Sequence, residues 1–137
     1  MTHDYFGTKR ITAWPQDRDG EPGYAVKYRD DYVSWSPKGV FEAAYQRIDA
    51  MSFGHALEAL KSGERVARRG WNGKGMFLFL VPGSRFTVNR EPLLSIMGEG
   101  AEVDYHAHID MKTADGQVVP WLASQTDMLA EDWELVG

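Results

Sequence analysis

Two separated segments of the sequence combine aromatic, amide and small side chains in a pattern typical of a ligand-binding site. The first covers residues 70–77 (GWNGKGMF), and the second covers residues 121–129 (WLASQTDML). Glycine lets a backbone approach a ligand closely, tryptophan provides a plane for stacking, and lysine or arginine neutralises phosphate. This combination is better suited to binding a flat, polar anion than to converting one.

The candidate ligand contacts are residues of the first segment and one arginine two positions before it. They are Arg68, Trp71, Asn72, Gly73, Lys74 and Met76. Stacking of one base on an aromatic side chain contributes about 1–3 kcal/mol, so Trp71 alone could dominate a small site. The alternative interpretation is a hairpin turn next to a core tryptophan. A P-loop is excluded, because the Gly-x-x-x-x-Gly-Lys-Ser/Thr spacing is absent.

The second segment carries four hydrogen-bonding side chains between two apolar anchors. They are Ser124, Gln125, Thr126 and Asp127. If they open a helical turn, its free backbone N–H groups favour an anion, and Gln125 and Asp127 could recognise the edge of a base or a ribose. The alternative interpretation is ordinary N-capping, for which Ser, Thr and Asp are preferred.

No combination of residues indicates a catalytic or metal site. The chain has no cysteine, and neither a Gly-x-Ser-x-Gly nor a His-Glu-x-x-His sequence occurs. His106 and His108 share one face of a predicted strand, but no further residue completes a known metal-ligand spacing. Glu131 and Asp132 are adjacent and therefore point in different directions. We expect a protein that is not an enzyme and that uses no metal and no cofactor.

Charge is distributed unevenly along the chain. The net charge of −5 argues against a surface for duplex nucleic acid, which should be basic. Residues 61–90 contain seven basic residues and one acid, a net charge of +6, whereas residues 91–137 contain one basic residue and ten acids, a net charge of −9. The basic segment, folded as one patch, would attract a small anion. Equally, the two segments could neutralise each other.

Residues 1–47 are predicted to form a small β-rich N-terminal module. Its three predicted strands are residues 11–14, 24–28 and 32–35. A short helix follows, for which we predict Ser36 as the N-cap, Pro37 as the first helical residue and an end near Arg47. Residues 48–50 are the predicted joint to the rest of the chain.

Residues 51–137 are predicted to form a second domain. Ser52 is a good N-cap for a helix whose apolar residues recur at helical spacing from Phe53 to Leu60, and Gly63 ends it. The predicted strands are residues 65–68, 76–81, 106–113, 117–121 and 133–136, of which 76–81 is expected to be buried on both faces.

The connection between the predicted strands 76–81 and 106–113 is long. Residues 82–105 have no firm period except a helical stretch at 93–97, and loops of such length are usually functional or mobile. A short helical turn is predicted at 124–129. The fold class is therefore α+β, with an antiparallel sheet and few short helices beside the β-rich N-terminal module.

The chain is predicted to be soluble and cytosolic. Its start has neither the basic nor the apolar region of a secretory signal. The longest apolar run, residues 76–81, is far too short to span a bilayer. The absence of cysteine fits a reducing compartment.

Four motifs in a fixed order resemble the second Thoeris anti-defence family of phage and prophage proteins. They are residues 52–57 (SFGHAL), 70–77 (GWNGKGMF), 111–116 (MKTADG) and 121–127 (WLASQTD), the last followed by Asp132 and Trp133. The resemblance covers residues 51–137. Residues 1–47 fall outside it and resemble small uncharacterised phage modules.

The resemblance implies a sponge, a protein that binds an immune signal and withholds it from the effector without cleaving it. The implied ligands are glycocyclic ADP-ribose from TIR-domain enzymes and, in some members, the cyclic dinucleotides of CBASS, the cyclic-oligonucleotide defence. The resemblance also implies a homotetramer with ligand sites between subunits, acting in the host cell cytoplasm. Trp71 is the first residue carried over, followed by Asn72, residues 124–126 and Asp127. Ligand preference is expected in residues 83–106.

Two other classes of function stay open from the sequence. One is an enzyme that degrades such signals, against which the missing acid/base pair argues. The other is a module that binds single-stranded nucleic acid, with stacking platforms at Trp14, Trp35, Trp71 and Trp121. The acidic net charge argues against this second class.

Overall fold

The first part of the chain is built from three short strands and one helix. In this computed structural model, which describes residues 1–137, the chain divides into two units, Met1–Ile48 and Asp49–Gly137. The elements of the N-terminal unit are β1 (Thr12–Pro15), β2 (Gly23–Lys27), β3 (Val33–Pro37) and α1 (Lys38–Ala44). The strands form an antiparallel sheet in the order β1-β2-β3, and the predicted hairpin joins β2 to β3.

Strand β2 is covered on both faces, because successive side chains of a strand point to opposite sides. On one face, Val26 is 1% exposed and the ring of Tyr24 stacks on Phe41 of α1, with centroids 4.2 Å apart. On the other face, Ala25 is 2% exposed and lies in register between Trp14 and Trp35. Trp35 is half-buried there, whereas Trp14 remains 40% exposed.

The start and end of α1 differ from the prediction. Ser36 and Pro37 belong to β3, and the helix runs from Lys38 to Ala44 rather than to Arg47. Pro37 has a ψ of 149°, which is extended, and it pairs with Gly23. A proline without an N–H is tolerated at a strand end, so here it ends the strand and takes the N-cap position.

The C-terminal unit contains seven strands and three helices. They are α2 (Phe53–Lys61), β4 (Arg65–Arg68), β5 (Phe77–Val81), β6 (Ser84–Thr87), α3 (Leu93–Met97), β7 (Glu102–Tyr105), β8 (His108–Lys112), β9 (Val118–Pro120), α4 (Gln125–Leu129) and β10 (Trp133–Val136). Five strands form an antiparallel sheet in the order β10-β4-β5-β8-β9, and β6 pairs with β7 separately. The predicted α+β class is confirmed.

Helix α2 begins and ends as its sequence predicts. The Ser52 side chain accepts a hydrogen bond from the backbone N–H of His55 at 3.4 Å. At the other end, Gly63 has a φ of +91°, a conformation that glycine adopts without steric cost. The helix buries Ala56 and Leu60 completely, so its apolar stripe faces the sheet.

The core of the unit lies between α2 and one face of the five-stranded sheet. Its fully or nearly buried members are Met51, Ala56, Leu60, Val66, Leu78 and Trp133. The expectation that residues 76–81 are buried on both faces is wrong, because only Leu78 is fully buried. Phe77 and Phe79 point to the opposite face and remain half-buried.

The long connection after β5 contains a two-stranded ribbon that the sequence did not indicate. Strands β6 and β7 pair in antiparallel register from Ser84 with Tyr105 to Thr87 with Glu102. The predicted helical stretch at 93–97 is present as α3. Every residue of β6 is exposed, so the strand carries no alternating burial pattern that a sequence could reveal.

The four helices have five to nine residues. None combines the length and the apolar character that crossing a membrane requires.

Candidate functional site

The two segments singled out in the sequence meet at the ring of Trp133. This side chain is 0% exposed. Trp71 from the first segment packs against it edge to face, with centroids 5.5 Å apart and an interplanar angle of 79°. Trp121 from the second segment does the same at 6.0 Å and 85°. Phe53 of α2 completes the cluster at 5.4 Å.

Trp133 also holds α4 by a hydrogen bond. Its indole Nε1–H donates to the backbone carbonyl of Asp127 at 2.9 Å. A buried indole N–H needs such a partner, because an unsatisfied donor costs about 1–3 kcal/mol. The same residue thus holds both segments, one by packing and the other by packing and a hydrogen bond.

An ion network centred on Arg68 provides the second link between the segments. Arg68 Nε donates to Asp132 Oδ1 at 2.9 Å, and its Nη1 donates to Asp127 Oδ1 at 2.9 Å. The side chains of Arg68, Asp127 and Asp132 are 18%, 15% and 30% exposed, so solvent screens these pairs only partly. Arg68 and Asp127, both predicted as ligand contacts, are bonded to each other.

Asp132 carries this network into the first segment. Its second carboxylate oxygen, Oδ2, accepts a hydrogen bond from the backbone N–H of Gly70 at 2.9 Å, and its carbonyl accepts one from Arg69 N–H at 3.1 Å. A Cβ at position 70 would lie 3.0 Å from Asp132 Oδ2. The close approach favours glycine here, and it fixes the backbone that leads into Trp71.

The ionisation of the network follows from its hydrogen bonds. Burial raises the pKa of Asp127 and of Asp132, but hydrogen bonds from Arg68 and from backbone or serine donors outweigh it. The pKa of each carboxyl therefore lies below its ordinary value. The hydrogen bonds to Asp132 and Asp127 raise the pKa of Arg68 above its ordinary value. All three groups are charged at neutral pH.

Ser124 and Asp127 form a capping box at the start of α4. Asp127 N–H donates to Ser124 Oγ at 3.0 Å, and Ser124 N–H donates to Asp127 Oδ2 at 3.3 Å. Ser124 Oγ also donates to Asp127 Oδ2 at 2.9 Å. The N-capping interpretation of these two residues is therefore correct for their side chains.

The loop between β4 and β5 exposes two of the predicted contacts. Asn72 and Lys74 are exposed, whereas Gly73 is half-buried. A Cβ at Gly73 would overlap the sulfur of Met76, so Met76 packs directly on the glycine backbone. Next to it, Lys112 Nζ donates to the Gly75 carbonyl at 3.1 Å, which ties the loop to β8.

The predicted site residues fall into two groups by exposure. Asn72, Lys74, Ser124, Gln125 and Thr126 are exposed. Arg68, Trp71, Gly73, Met76 and Asp127 are half-buried. Both segments therefore combine side chains that are exposed to solvent with side chains that pack within the unit.

Basic residues of the segment 61–90 pair with acids of the segment 91–137. Besides Arg68, the exposed Arg85 pairs with Glu102 at 3.0 Å and with Asp104 at 3.1 Å. Arg69 pairs more loosely with Glu134, at 3.8 Å. At these positions the structure shows neutralisation between the two segments rather than a single basic patch.

The histidine pair does not assemble a metal site. His108 contacts the carbonyl of His106 through Nδ1 at 3.0 Å and lies 3.5 Å from Asp110 through Nε2. No group of three or more histidine or carboxylate side chains is arranged to hold a metal ion.

The two residues that organise the site, Asp132 and Trp133, received no role from the sequence. Both follow the fourth motif of the family resemblance, and Asp132 is also a neighbour of Glu131, but neither is predicted to support the site. The available signal was strand pairing: β10 pairs antiparallel with β4, and Trp133 stands opposite Arg68 in register. A residue just before β10 must therefore lie beside the turn that follows β4.

Comparison with known proteins gives two matches. A family model described as the Thoeris anti-defense 2-like domain matches residues 51–136. The chain is also similar to a protein named Thoeris anti-defense 2 from Bacillus phage SP01, with 47% identity over 92 residues. That alignment covers 96% of the phage protein and 64% of this chain.

Proposed function

The chain belongs to the Thoeris anti-defense 2-like family, and we propose that it acts as an anti-defence sponge in the host cell cytoplasm. It binds a cyclic ADP-ribose-type immune signal, glycocyclic ADP-ribose, and withholds it from the defence effector without cleaving it. Cyclic dinucleotides are the second ligand class to test. The family match covers the unit that contains both motif segments.

The observation that carries the proposal is the convergence of the two segments on Trp133. Trp71 and Trp121 pack on the same ring, and the Arg68 network joins the backbone at Gly70 to the start of α4. The tryptophan cluster around Trp133 and the ion network of Arg68 together form a frame that holds residues distant in sequence. A site held in advance loses little entropy when its ligand binds, which favours tight and slowly reversible binding.

We assign the direct ligand contacts to the side chains that the frame leaves available. Trp71 provides a partly exposed aromatic surface for the base, and Lys74 provides charge for the pyrophosphate. The remaining contacts are the exposed polar residues Asn72, Gln125 and Thr126, which suit base and ribose edges. Gly73 and Met76 shape the loop.

The other predicted residues act as supports in this proposal. Arg68, Ser124 and Asp127 already use their side chains in the ion network and the capping box. Their removal would move the contacting residues rather than delete a contact.

The chemistry of the carboxylates supports binding rather than cleavage. A general acid that works near neutral pH needs a raised pKa. The pKa values of Asp127 and Asp132 are lowered, and Arg68 holds both as anions. Both carboxylates are committed to organising the frame.

The proposed complex also requires sufficient affinity. Nanomolar binding corresponds to about 12 kcal/mol. One stacked base contributes about 1–3 kcal/mol, so the charge-assisted contacts to the pyrophosphate and the ribose hydrogen bonds must supply much of the remainder.

We propose a homotetramer with the ligand between subunits. Light scattering of the purified protein should then give four times the chain mass of 15.5 kDa. A monomeric mass at micromolar concentration would contradict this assembly.

Titration calorimetry with glycocyclic ADP-ribose tests the proposed ligand. We expect binding in the nanomolar range and no heat beyond saturation, since a bound signal is not turned over. ADP-ribose, the linear compound, is the matched control and should bind more weakly. The absence of binding to glycocyclic ADP-ribose isomers and to all cyclic dinucleotides would overturn the proposal.

A further inference from the structure

The N-terminal unit carries features that the family domain does not account for. The family model begins at residue 51, after the end of this unit at Ile48. The phage SP01 relative aligns over 96% of its own length but over 64% of this chain, so about a third of the chain has no counterpart in it. A function of this unit must be inferred from its own residues.

A shallow depression lies at the hairpin end of the N-terminal sheet. Its volume is about 680 Å³, which is within the range of small-ligand sites. Residues preceding β1 form one side, and the β2–β3 hairpin forms the other. The residues that matter for its chemistry are Lys9, Arg10, Tyr28, Arg29, Asp30 and Tyr32.

The hairpin that forms this depression is held by its own hydrogen bonds. Tyr28 N–H donates to the Tyr32 carbonyl and Asp31 N–H to the Tyr28 carbonyl, both at 2.9 Å. Tyr32 N–H donates to Asp30 Oδ1 at 3.1 Å. Ser34 Oγ donates to the Tyr28 hydroxyl at 3.3 Å. The two tyrosines are therefore presented from a fixed backbone.

The two tyrosines form an aromatic surface, and the ring of Tyr32 is its exposed part. Their rings are nearly parallel, at 17°, with centroids 6.1 Å apart. Lys9 Nζ lies 4.5 Å from the centroid of the Tyr28 ring, and Tyr32 is 64% exposed. An exposed aromatic ring on a rigid turn can stack with any nucleobase, because every base has a π-face.

Cationic side chains outnumber carboxylates in the lining of this depression. The depression is lined by three cationic side chains and one carboxylate. That carboxylate, Asp30, already accepts the N–H of Tyr32. Lys9 and Arg29 are exposed at the rim, where they can contact an anion without a large desolvation cost. A phosphate group is the anion that matches several cationic donors.

We propose that this depression binds a nucleotide unit, an aromatic base that carries a phosphate. The base stacks on Tyr32, and the phosphate contacts Arg29 and Lys9. A free nucleotide and a nucleotide within a single strand share this chemistry. The site consists of residues from Met1–Ile48 and does not depend on Trp71 or on the function proposed for the family domain.

Binding of thymidine probes to the full chain tests the proposal and separates the two sources. Thymidine monophosphate represents the free nucleotide, and an oligothymidylate of about eight nucleotides represents the single strand. At least one probe should bind, and Tyr32→Ala should weaken that binding by about fivefold or more. Arg29→Ala should weaken it as well. With two phosphate contacts, a tenfold rise in salt should weaken octamer binding about 25-fold.

Matched variants control for aromatic content and charge. Tyr105→Ala removes a tyrosine that is 48% exposed on the other unit, and Lys38→Ala removes an exposed cation outside the depression. Both should leave binding unchanged. Because Tyr32 and Arg29 are exposed, their variants should keep the circular dichroism spectrum of the parent chain.

Three results would overturn the proposal. One is the absence of binding to both probes, and another is binding that Tyr32→Ala and Arg29→Ala leave unchanged. The third is binding that Trp71→Ala removes while Tyr32→Ala preserves it, since the probe would then occupy the family domain. Failure of glycocyclic ADP-ribose binding has no bearing on these outcomes.

Discussion

At the scale of single residues, Trp133 and Arg68 determine the arrangement of the candidate site. Trp133 is fully buried and supports the rings of Trp71 and Trp121. Arg68 reaches Asp127 and Asp132, which are 59 and 64 residues away along the chain. A change at either residue should therefore affect both segments at once.

Replacement of Trp71 by alanine should separate ligand binding from folding. Trp71 is half-buried on Trp133, so we expect a loss of about 1–3 kcal/mol in the free energy of unfolding and a loss of measurable signal binding. Trp121→Ala is the matched control, because Trp121 is also half-buried and packs on the same ring. It should lose similar stability but weaken binding less than Trp71→Ala, because it removes a packing contact on Trp133 and no proposed ligand contact. Equal effects of both variants on binding would mean that Trp71 is only a core residue.

Replacement of Asp132 by asparagine should disrupt the ion network. The variant leaves Arg68 with one carboxylate and weakens the bond to Gly70 N–H, so we expect a loss of about 1–3 kcal/mol in unfolding free energy. Arg85→Ala is the control, because this arginine is 61% exposed although it also pairs with two acids. Exposed pairs contribute little, and that variant should lose less than about 1 kcal/mol. Similar losses in chemical denaturation would contradict the assigned role of the network.

The lowered pKa of Asp132 gives a defined pH dependence to the difference in unfolding free energy between the parent chain and Asp132→Asn. A carboxyl with a lowered folded-state pKa contributes stability above its unfolded pKa of about 3.9, and this contribution is lost as pH falls through the folded-state value. The stability difference between the parent chain and Asp132→Asn should stay constant from pH 7 to about 5 and shrink below about pH 4. A difference that persists undiminished at pH 3 would show that the charge of Asp132 is not its source.

At the scale of elements, α4 depends on its cap. A helix of five residues has too few backbone hydrogen bonds to be stable alone. The capping box of Ser124 with Asp127 holds its first turn, and Trp133 Nε1 donates to the Asp127 carbonyl further along the helix. Gln125 and Thr126, which follow the cap, are exposed on this helix.

Replacement by alanine should affect mainly stability at Ser124 and mainly signal binding at Thr126. Ser124→Ala removes the cap and should lower the free energy of unfolding by about 1 kcal/mol. Thr126→Ala removes an exposed hydroxyl and should weaken signal binding with little change in stability. Thermal denaturation and calorimetry on the two variants measure both quantities. Loss of stability in Thr126→Ala with unaltered binding would show that Thr126 is a structural residue and not a ligand contact.

Elements with strong local signals were predictable from the sequence. Strands β4 and β10 match residues 65–68 and 133–136 to the residue, and α2 has the predicted Ser52 cap. The β6–β7 ribbon was missed, since β6 is exposed throughout and its pairing joins residues far apart in sequence. The start of α1 was misplaced because serine followed by proline is also compatible with a strand end.

The candidate site was predictable only in its composition. Residue types indicated Trp71, Asn72 and residues 124–127, but no local pattern shows which polar groups are already bonded. The bond from Arg68 to Asp127 is set by strand pairing, which determines that two distant segments become neighbours. For that reason the supporting role of Asp132 emerged only from the structure.

At the scale of the whole molecule, the chain combines a family domain with a unit of its own. Asp49–Gly137 contains the segment that the family model matches, and its frame of aromatic rings and ion pairs holds two motif segments together. Met1–Ile48 has a separate sheet and a separate basic, aromatic depression. The two proposals concern different units, so each can fail without the other.

The mass of the small molecule released from the protein tests the central claim most directly. Purified protein is incubated with glycocyclic ADP-ribose, freed of unbound ligand, heated until it denatures, and the released compound is weighed by mass spectrometry. A sponge returns the intact cyclic signal, in an amount that matches the number of binding sites. Recovery of a linear or cleaved product would contradict the account and indicate a degrading enzyme, and recovery of no ligand would contradict binding itself.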